Sequence, residues 1–511
     1  MRRMIITATI ALLLLSPMPT LSARQKLERK PSVGTAAKLG PEEQPPRQNN
    51  QAWLPLVQMP QSAPPPNLAE LITPGFDYAT WYEAETGYAG NPEYFGAYAL
   101  TPVGDTLYLG FGTARPAEDG NNGALFASTD AITVTAISPL DEQGFIGMTP
   151  HNGVIYIPGA DPTDRGPDHQ WDWGNTYVYS PPDDFTKHRN LPNVIHTWGL
   201  WHHPTQDRLY AAVSSHQGDY KTWSGEIFVS ADQGNSWARL ADRDDGVGEY
   251  RTYDITGLGG KLYATWNDVY QEPCGLAQSD NEGNTWTRLP AFASQTACRT
   301  RLFVYANRLL ALSFDRTELL ALDTDSTVTT HSFPDFSVKT WAYNYLAEDS
   351  AGRIYTITED GRVMRTANLN AWETLVSGDR AFITIAYWPE KDWIVLADRG
   401  RDYANLWKID LSSVAAFTPP PTPAVAIQQH ADFVTLDWPD STGAYRVYRS
   451  ESPYFTSHLS NLRDQPTQAT IDMPLIADEN HFYLVRSKDA SANLSLPSNR
   501  TGVFHFALVP G

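Results

Sequence analysis

Cysteine is nearly absent from this chain, with Cys274 and Cys298 the only two among 511 residues. So sparse a pair rules out a cysteine-rich metal module or a disulfide-dense mini-scaffold. In an exported chain an even pair reads instead as one disulfide. Charged residues are also few, at 19%, while 38 prolines and 35 glycines interrupt the chain, a balance that favours short strands and many turns over long helices. Positive charge is scarce: 38 Lys and Arg stand against 58 Asp and Glu, for a formal charge of −20. Such a surface repels phosphate backbones and anionic lipid, so nucleic acid is excluded as a partner. No G-x-S-x-G, H-E-x-x-H, phosphate-binding loop or dinucleotide fingerprint occurs, which argues against those reaction classes. No cofactor is called for.

Long apolar runs are missing as well, except at residues 5–15, where an apolar core follows Arg2 and Arg3 and precedes small residues at Thr20, Ser22 and Ala23. This is the pattern of a secretory signal over residues 1–23, too short to span a bilayer. The chain is expected to be secreted, with no membrane insertion. Residues 24–71, rich in Pro and Gln and without apolar periodicity, read as a disordered tether.

What the chain has in quantity is repetition. Apolar-Tyr-apolar cores, or close variants, recur at TLYLG, VIYIP, RLYAA, KLYAT, RLLAL, RIYTI and WIVLA, at a period of about 48 residues. Each is flanked by a preceding and a following apolar stretch, such as HTWGLWH before RLYAA and GEIFVS after it. Seven units of three or four short strands predict an all-β, seven-bladed β-propeller over residues 72–417; the weaker fifth and seventh units leave six or eight blades as alternatives. The aromatic stretch YATWYEA, at 78–84, is expected to supply the outer strand that closes the ring.

Two of the units end in a recognisable octet. SADQGNSW carries Ser230, Asp232, Gly234 and Trp237, and SDNEGNTW repeats it with Ser279, Asn281, Gly283 and Trp286. The octet resembles the Asp-box of sialidases, some other glycoside hydrolases and several non-enzymatic propellers. Physically, Ser and Asp side chains can take backbone N–H groups of the turn, and glycine allows the positive φ that the turn needs. The resemblance implies a hairpin fastener between the third and fourth strands, on the face opposite the expected ligand site.

After the Pro-rich spacer at 418–424, residues 425–511 resemble a fibronectin type III module. VTLDW places Trp438 as the core tryptophan, AYRVYRS as a central strand, and Tyr483-x-Val485 as the tyrosine corner.

The face where first strands begin, together with the loops between second and third strands, is the expected ligand funnel. Loop 159–173 is acidic and aromatic and carries Trp171, Asp172 and Trp173. His196, Trp198, His216, Arg251, Trp266, Asp268, Arg301, Trp341 and Arg399 are expected on the same face. Aromatic rings beside Arg and carboxylates suit sugars, whose C–H faces stack while hydroxyls are held. The expectation is a secreted propeller binding an extracellular glycan or protein, with oligomeric state open. The alternative is a sialidase-like glycoside hydrolase with Asp172 and Asp268 as its carboxyl pair and Arg251 on the substrate. The sialidase resemblance would further imply an arginine trio, for which Arg251, Arg299 or Arg301, and Arg399 or Arg401 are available. That family's Arg-Ile-Pro motif is absent, and no Tyr–Glu pair can be placed. Finally, Asp242, Asp244, Asp245 and Glu249 form an acidic turn that suggests Ca²⁺ but misses the EF-hand spacing by one residue.

Overall fold

The computed structural model describes residues 67–72, 78–86, 95–113, 123–160, 173–216, 222–269, 273–293, 295–339, 343–378, 380–398, 405–439, 443–476, 479–490 and 493–504. The signal segment and most of the tether lie outside the described residues.

Within residues 67–410 the chain folds into seven four-stranded antiparallel sheets, one after another. Each apolar core becomes the second strand of its sheet: Thr106–Thr113, Val154–Pro158, Leu209–Ser215, Lys261–Asn267, Arg308–Leu312, Ile354–Ile357 and Trp393–Asp398. These strands read as nearly unbroken apolar runs because both of their faces are covered. Tyr108 packs with Ile155 and Tyr177 of the second sheet, while Leu107 and Leu109 pack with Trp388 and Val395 of the seventh. The core is thus a series of intersheet layers. First strands meet first strands: Phe95–Val103 packs on Phe382–Trp388 of the seventh sheet, and Val194–His202 packs on Arg251–Leu258 of the fourth.

The seventh sheet has only three strands from its own part of the chain. Its fourth is Glu70–Leu71, paired with Lys408 and Trp407. This corrects two expectations. The end of the presumed tether is a paired strand, and YATWYEA is a helix, Tyr78–Thr86. Tyr78, Trp81 and Tyr82 stand at helical spacing and cover Phe111 and Phe126 of the first sheet.

The Ser-x-Asp turns bond as their chemistry dictates. The Ser230 hydroxyl donates to Asp232 and accepts the Gly234 N–H at 2.8 Å, and Asp232 accepts the Ser236 N–H at 2.8 Å. Gly234 and Gly283 have φ of 90° and 92°. Trp286 donates Nε1 to the Gly283 carbonyl at 3.0 Å, and Trp372 repeats this with Leu369. Related turns at Ser313/Asp315 and Thr358/Asp360 sit between second and third strands, at the opposite ends of their sheets.

Beyond residue 425, a three-stranded and a four-stranded sheet enclose Val434, Leu436, Trp438, Tyr445, Val447 and Val485. Trp438 lies one residue past its strand, Phe433–Asp437. Tyr483 is fully buried in the strand His481–Ser487 and packs in the same core. The sandwich docks on the fifth and sixth sheets: Tyr448 donates to the Pro334 carbonyl at 2.9 Å, and Asp335 pairs with Arg446 at 3.1 Å and Arg362 at 3.4 Å. Pro421 itself accepts from Ser487.

Candidate functional site: an aromatic mouth over Arg251

Four of the first strands carry a bulge near their starting end, at Ala97/Ala99, Thr197/Gly199, Thr252/Asp254 and Phe382/Thr384. A bulge leaves one residue unpaired and re-aims its side chain. In the third and fourth sheets those residues are Trp198 and Tyr253, whose rings meet at 5.3 Å. Glycine makes room for this: a Cβ on Gly199 would stand 2.6 Å from Asp254 Oδ1. Trp198 is then locked, donating Nε1 to Ser214 at 2.7 Å while its carbonyl accepts the Tyr343 hydroxyl at 2.7 Å.

Around this buried pair the guanidiniums gather. Arg251 lies 5.2 Å from the Trp198 ring, 5.3 Å from Trp223 and 4.7 Å from Tyr250, within cation–π range of all three. Arg299 lies 5.4 Å from Trp198 and holds a left-handed φ of 59°, costly for a side-chain-bearing residue. The residue before it, Cys298, is joined to Cys274 in a disulfide. His196 packs 4.7 Å from Trp198, and its Nδ1 meets the Ala160 carbonyl. Burial, aided by Arg251 and Arg299, holds its imidazole well below the usual histidine range. The ring is therefore neutral at pH 7, with Nδ1–H donating and Nε2 left as acceptor. Trp223 and Tyr250, 4.9 Å apart, are partly exposed and form the open side of the mouth; Trp173 is exposed at the start of its strand.

Sequence reasoning brought His196, Trp198 and Arg251 to one place, and the structure does too. Trp171, Asp172, Trp341 and Arg399 lie outside the described residues. Others have different employment. Asp268, the expected catalytic carboxylate, is held by Arg288 through two 2.9 Å bonds, on the outermost strand of the fourth sheet. Trp266 is buried beneath the same guanidinium, which lies 3.6 Å from its ring, and His216 is buried, its backbone N–H donating to the Asn193 carbonyl. Arg301 stacks on Tyr343 at 5.4 Å and donates to the Met148 carbonyl at 3.2 Å. In the acidic turn, Asp242 and Asp245 cap each other and Glu249 pairs with Arg243, and among the described residues no group of three metal-ligating side chains occurs.

The sequence reading missed Asp254. It is buried in the first strand of the fourth sheet, accepts the Leu302 N–H at 2.7 Å, and has its carboxyl pushed up to about 6 by burial, against the pull of Arg301. The signal was available: one carboxylate inside the apolar stretch YDITGL. A carboxyl whose folded value lies above its unfolded one favours the native state while protonated, and loses that contribution as pH rises. Between about pH 4 and 6 this one group is expected to remove about 3 kcal/mol of stability. Asp254→Asn keeps an acceptor for Leu302 and has no charge to bury. Urea denaturation should find it indistinguishable from wild type near pH 4 and more stable at pH 7.5; equal midpoints at both would refute the assignment.

No family model and no curated protein matches the chain. Several solved structures resemble it, all of propeller type. PorZ, a surface component of the type-IX secretion system of Porphyromonas gingivalis, aligns over 80% of this chain and 59% of its own, at 11% identity and a TM-score of 0.45. The extracellular domain of BT3049 from B. thetaiotaomicron aligns over 80% and 56%, at 10% identity and 0.45. Virginiamycin B lyase from Staphylococcus aureus aligns over 62% and 95%, at 13% identity and 0.42. The chain thus spans little more than half of the first two. No helix among the described residues is long and apolar enough to cross a membrane.

Proposed function

We propose that this is an exported seven-bladed propeller of the Asp-box type, followed by a docked fibronectin type III-like module, that binds an extracellular glycan at the mouth formed by its second, third and fourth sheets. The signal-like leader supports export, and the seven consecutive four-stranded sheets support the blade count. The observation that carries the binding reading is the half-open aromatic pair Trp223 and Tyr250 above the Arg251 guanidinium. Partly exposed rings offer flat faces to sugar C–H surfaces, while Arg299 and the neutral His196 supply hydrogen bonds to hydroxyls.

A hydrolase would need a second carboxyl within about 5–10 Å of the first, and Asp268, the described member of the expected pair, is engaged by Arg288. Binding is therefore the better-supported activity. A glycan array probed with the full chain, run beside aryl-glycoside hydrolysis assays, tests it. Saturable binding of a glycan class without turnover is the expected result. Turnover would revive the hydrolase, and protein ligands alone engaging the mouth would replace the glycan.

A further inference from the structure

The first strands of the second and third sheets, Thr149–His151 and Val194–His202, each end in a histidine on the face opposite the mouth. The two rings stack face to face, with centroids 3.6 Å apart and planes within 11° of parallel. His202 is buried and His151 half-buried, so the pair forms part of the seam between the two sheets. A second seam contact lies slightly further in, where Thr149 Oγ1 donates to the Leu200 carbonyl at 2.6 Å. That contact does not titrate, whereas imidazoles change charge in the range of ordinary pH.

Hydrogen-bond partners fix where the protons stand. The Asn152 amide Nδ2 lies 2.9 Å from His151 Nε2. An amide nitrogen only donates, so His151 Nε2 is bare and the ring neutral, with its proton on Nδ1. His202 Nδ1 lies 2.9 Å from the His203 carbonyl, which only accepts, so that nitrogen carries a hydrogen. His202 Nε2 faces Asp207 Oδ1 at 3.6 Å, and a proton taken up there gains a carboxylate beside it. Among the described residues, two further titratable groups flank the pair. Tyr156 lies 5.5 Å from the His202 ring, and His203 Nδ1 accepts the Thr205 and Gln206 N–H groups at 3.2 and 3.1 Å. Beyond them, Arg208 is paired with Glu282 at 2.6 Å. One proton can thus be carried next to Asp207. A second, on His151, breaks the Asn152 bond and sets two cations in ring-to-ring contact. Burial and the His202 ring accordingly hold the His151 imidazole below the usual histidine range, against the pull of Asp207.

We infer that the stacked pair is an acid-operated latch between the second and third sheets, closed while His151 is neutral and released when both imidazoles carry a proton. The sign follows from linkage. A histidine held below its ordinary value binds a proton more readily once the seam has opened. Its contribution is therefore whole above about pH 6.5 and is lost as pH falls through the folded value. At pH 5 one such group raises the opened population by up to about 30-fold. The latch is independent of the ligand proposed for the mouth, since neither ring belongs to that aromatic cluster.

Hydrogen exchange of the full chain at pH 7.5 and 5.0, read by mass spectrometry as protection relative to the unfolded chain at each pH, tests this. Peptides covering 149–158 and 200–209 should lose protection about 10- to 30-fold on acidification, while those of Ile354–Ile357 in the sixth sheet keep theirs. His151→Phe leaves a ring on the stack without a proton to bind, and should abolish the loss. Asp207→Asn removes the carboxylate that favours a proton on the closed pair, and should enlarge the loss about 2- to 5-fold. His196, on the same strand as His202 and also held neutral by burial, is the competing source of an acid effect. A loss that persists in His151→Phe would assign the effect there and overturn the latch. So would no loss at all, a loss of equal size in the sixth sheet, or an Asp207→Asn protein that responds as wild type does.

Discussion

Asp335→Ala is expected to lower stability by about 3–5 kcal/mol and to free the C-terminal sandwich from the sheets it rests on. Asp335 is 6% exposed and pairs with two guanidiniums, Arg362 and Arg446, themselves 13% and 11% exposed. Removing the carboxylate leaves two largely desolvated cations facing each other, which costs more than the pair itself contributes. Arg362 keeps Asp360 at 2.9 Å, so Arg446 bears most of the loss. Arg446 belongs to the strand Tyr445–Ser450, the same strand whose Tyr448 hydroxyl reaches Pro334. The two contacts should therefore fail together. Chemical denaturation should show the loss, and limited proteolysis with chymotrypsin should show cleavage at Phe417, next to the Pro-rich segment, that wild type resists. A variant that unfolds as wild type does and stays uncleaved would mean that the other contacts, such as Asn493 with the Thr374 N–H at 2.8 Å, suffice to hold the module.

The second large effect is expected from Cys274→Ala/Cys298→Ala. The bridge spans 24 residues and has a Cα–Cα distance of 5.3 Å. By chain entropy, closing such a loop contributes about 3.5 kcal/mol. The loop is also wired to its neighbours: Thr296 exchanges backbone bonds with Cys274 at 2.8 and 2.9 Å and bridges to Ser313 of the fifth sheet. Cys298 flanks Trp198 and Tyr253 and immediately precedes Arg299 with its left-handed backbone. Loss of the bridge should thus lower stability and weaken the mouth together. A reduced protein of unchanged stability would contradict the first part, and undiminished ligand affinity the second.

How far the sequence could be read follows from the range of each interaction. The seven second strands were legible, because a short apolar core between turn residues is a local signal and recurs seven times. The closing strand was not: Glu70–Leu71 is two residues long and pairs with Lys408 and Trp407 at the far end of the ring. For the helix at Tyr78–Thr86 the signal existed but was outweighed, since a run of aromatics suggests a strand while Tyr78, Trp81 and Tyr82 fall at helical spacing. The mouth was half legible. His196, Trp198 and Arg251 follow from their position at the starting ends of first strands, but the bulges that turn Trp198 and Tyr253 toward each other are features of pairing register. Asp268 was expected in the funnel without a partner, and the guanidinium that holds it, Arg288, stands on the outer strand of the same sheet, 20 residues on. Nothing in the local sequence announces that pair.

The central claim is that the ring has its ligand surface where Trp223 and Tyr250 open above Arg251. Calorimetric titration of the tightest-binding array glycan into wild type and Trp223→Ala tests it most directly. Trp223 is only partly buried, so the fold should survive, as an unchanged melting temperature would show. Loss of one stacking face over a cation predicts about a tenfold drop in affinity, some 1–2 kcal/mol. Equal affinity in the two proteins at equal stability would contradict the claim and put the ligand elsewhere.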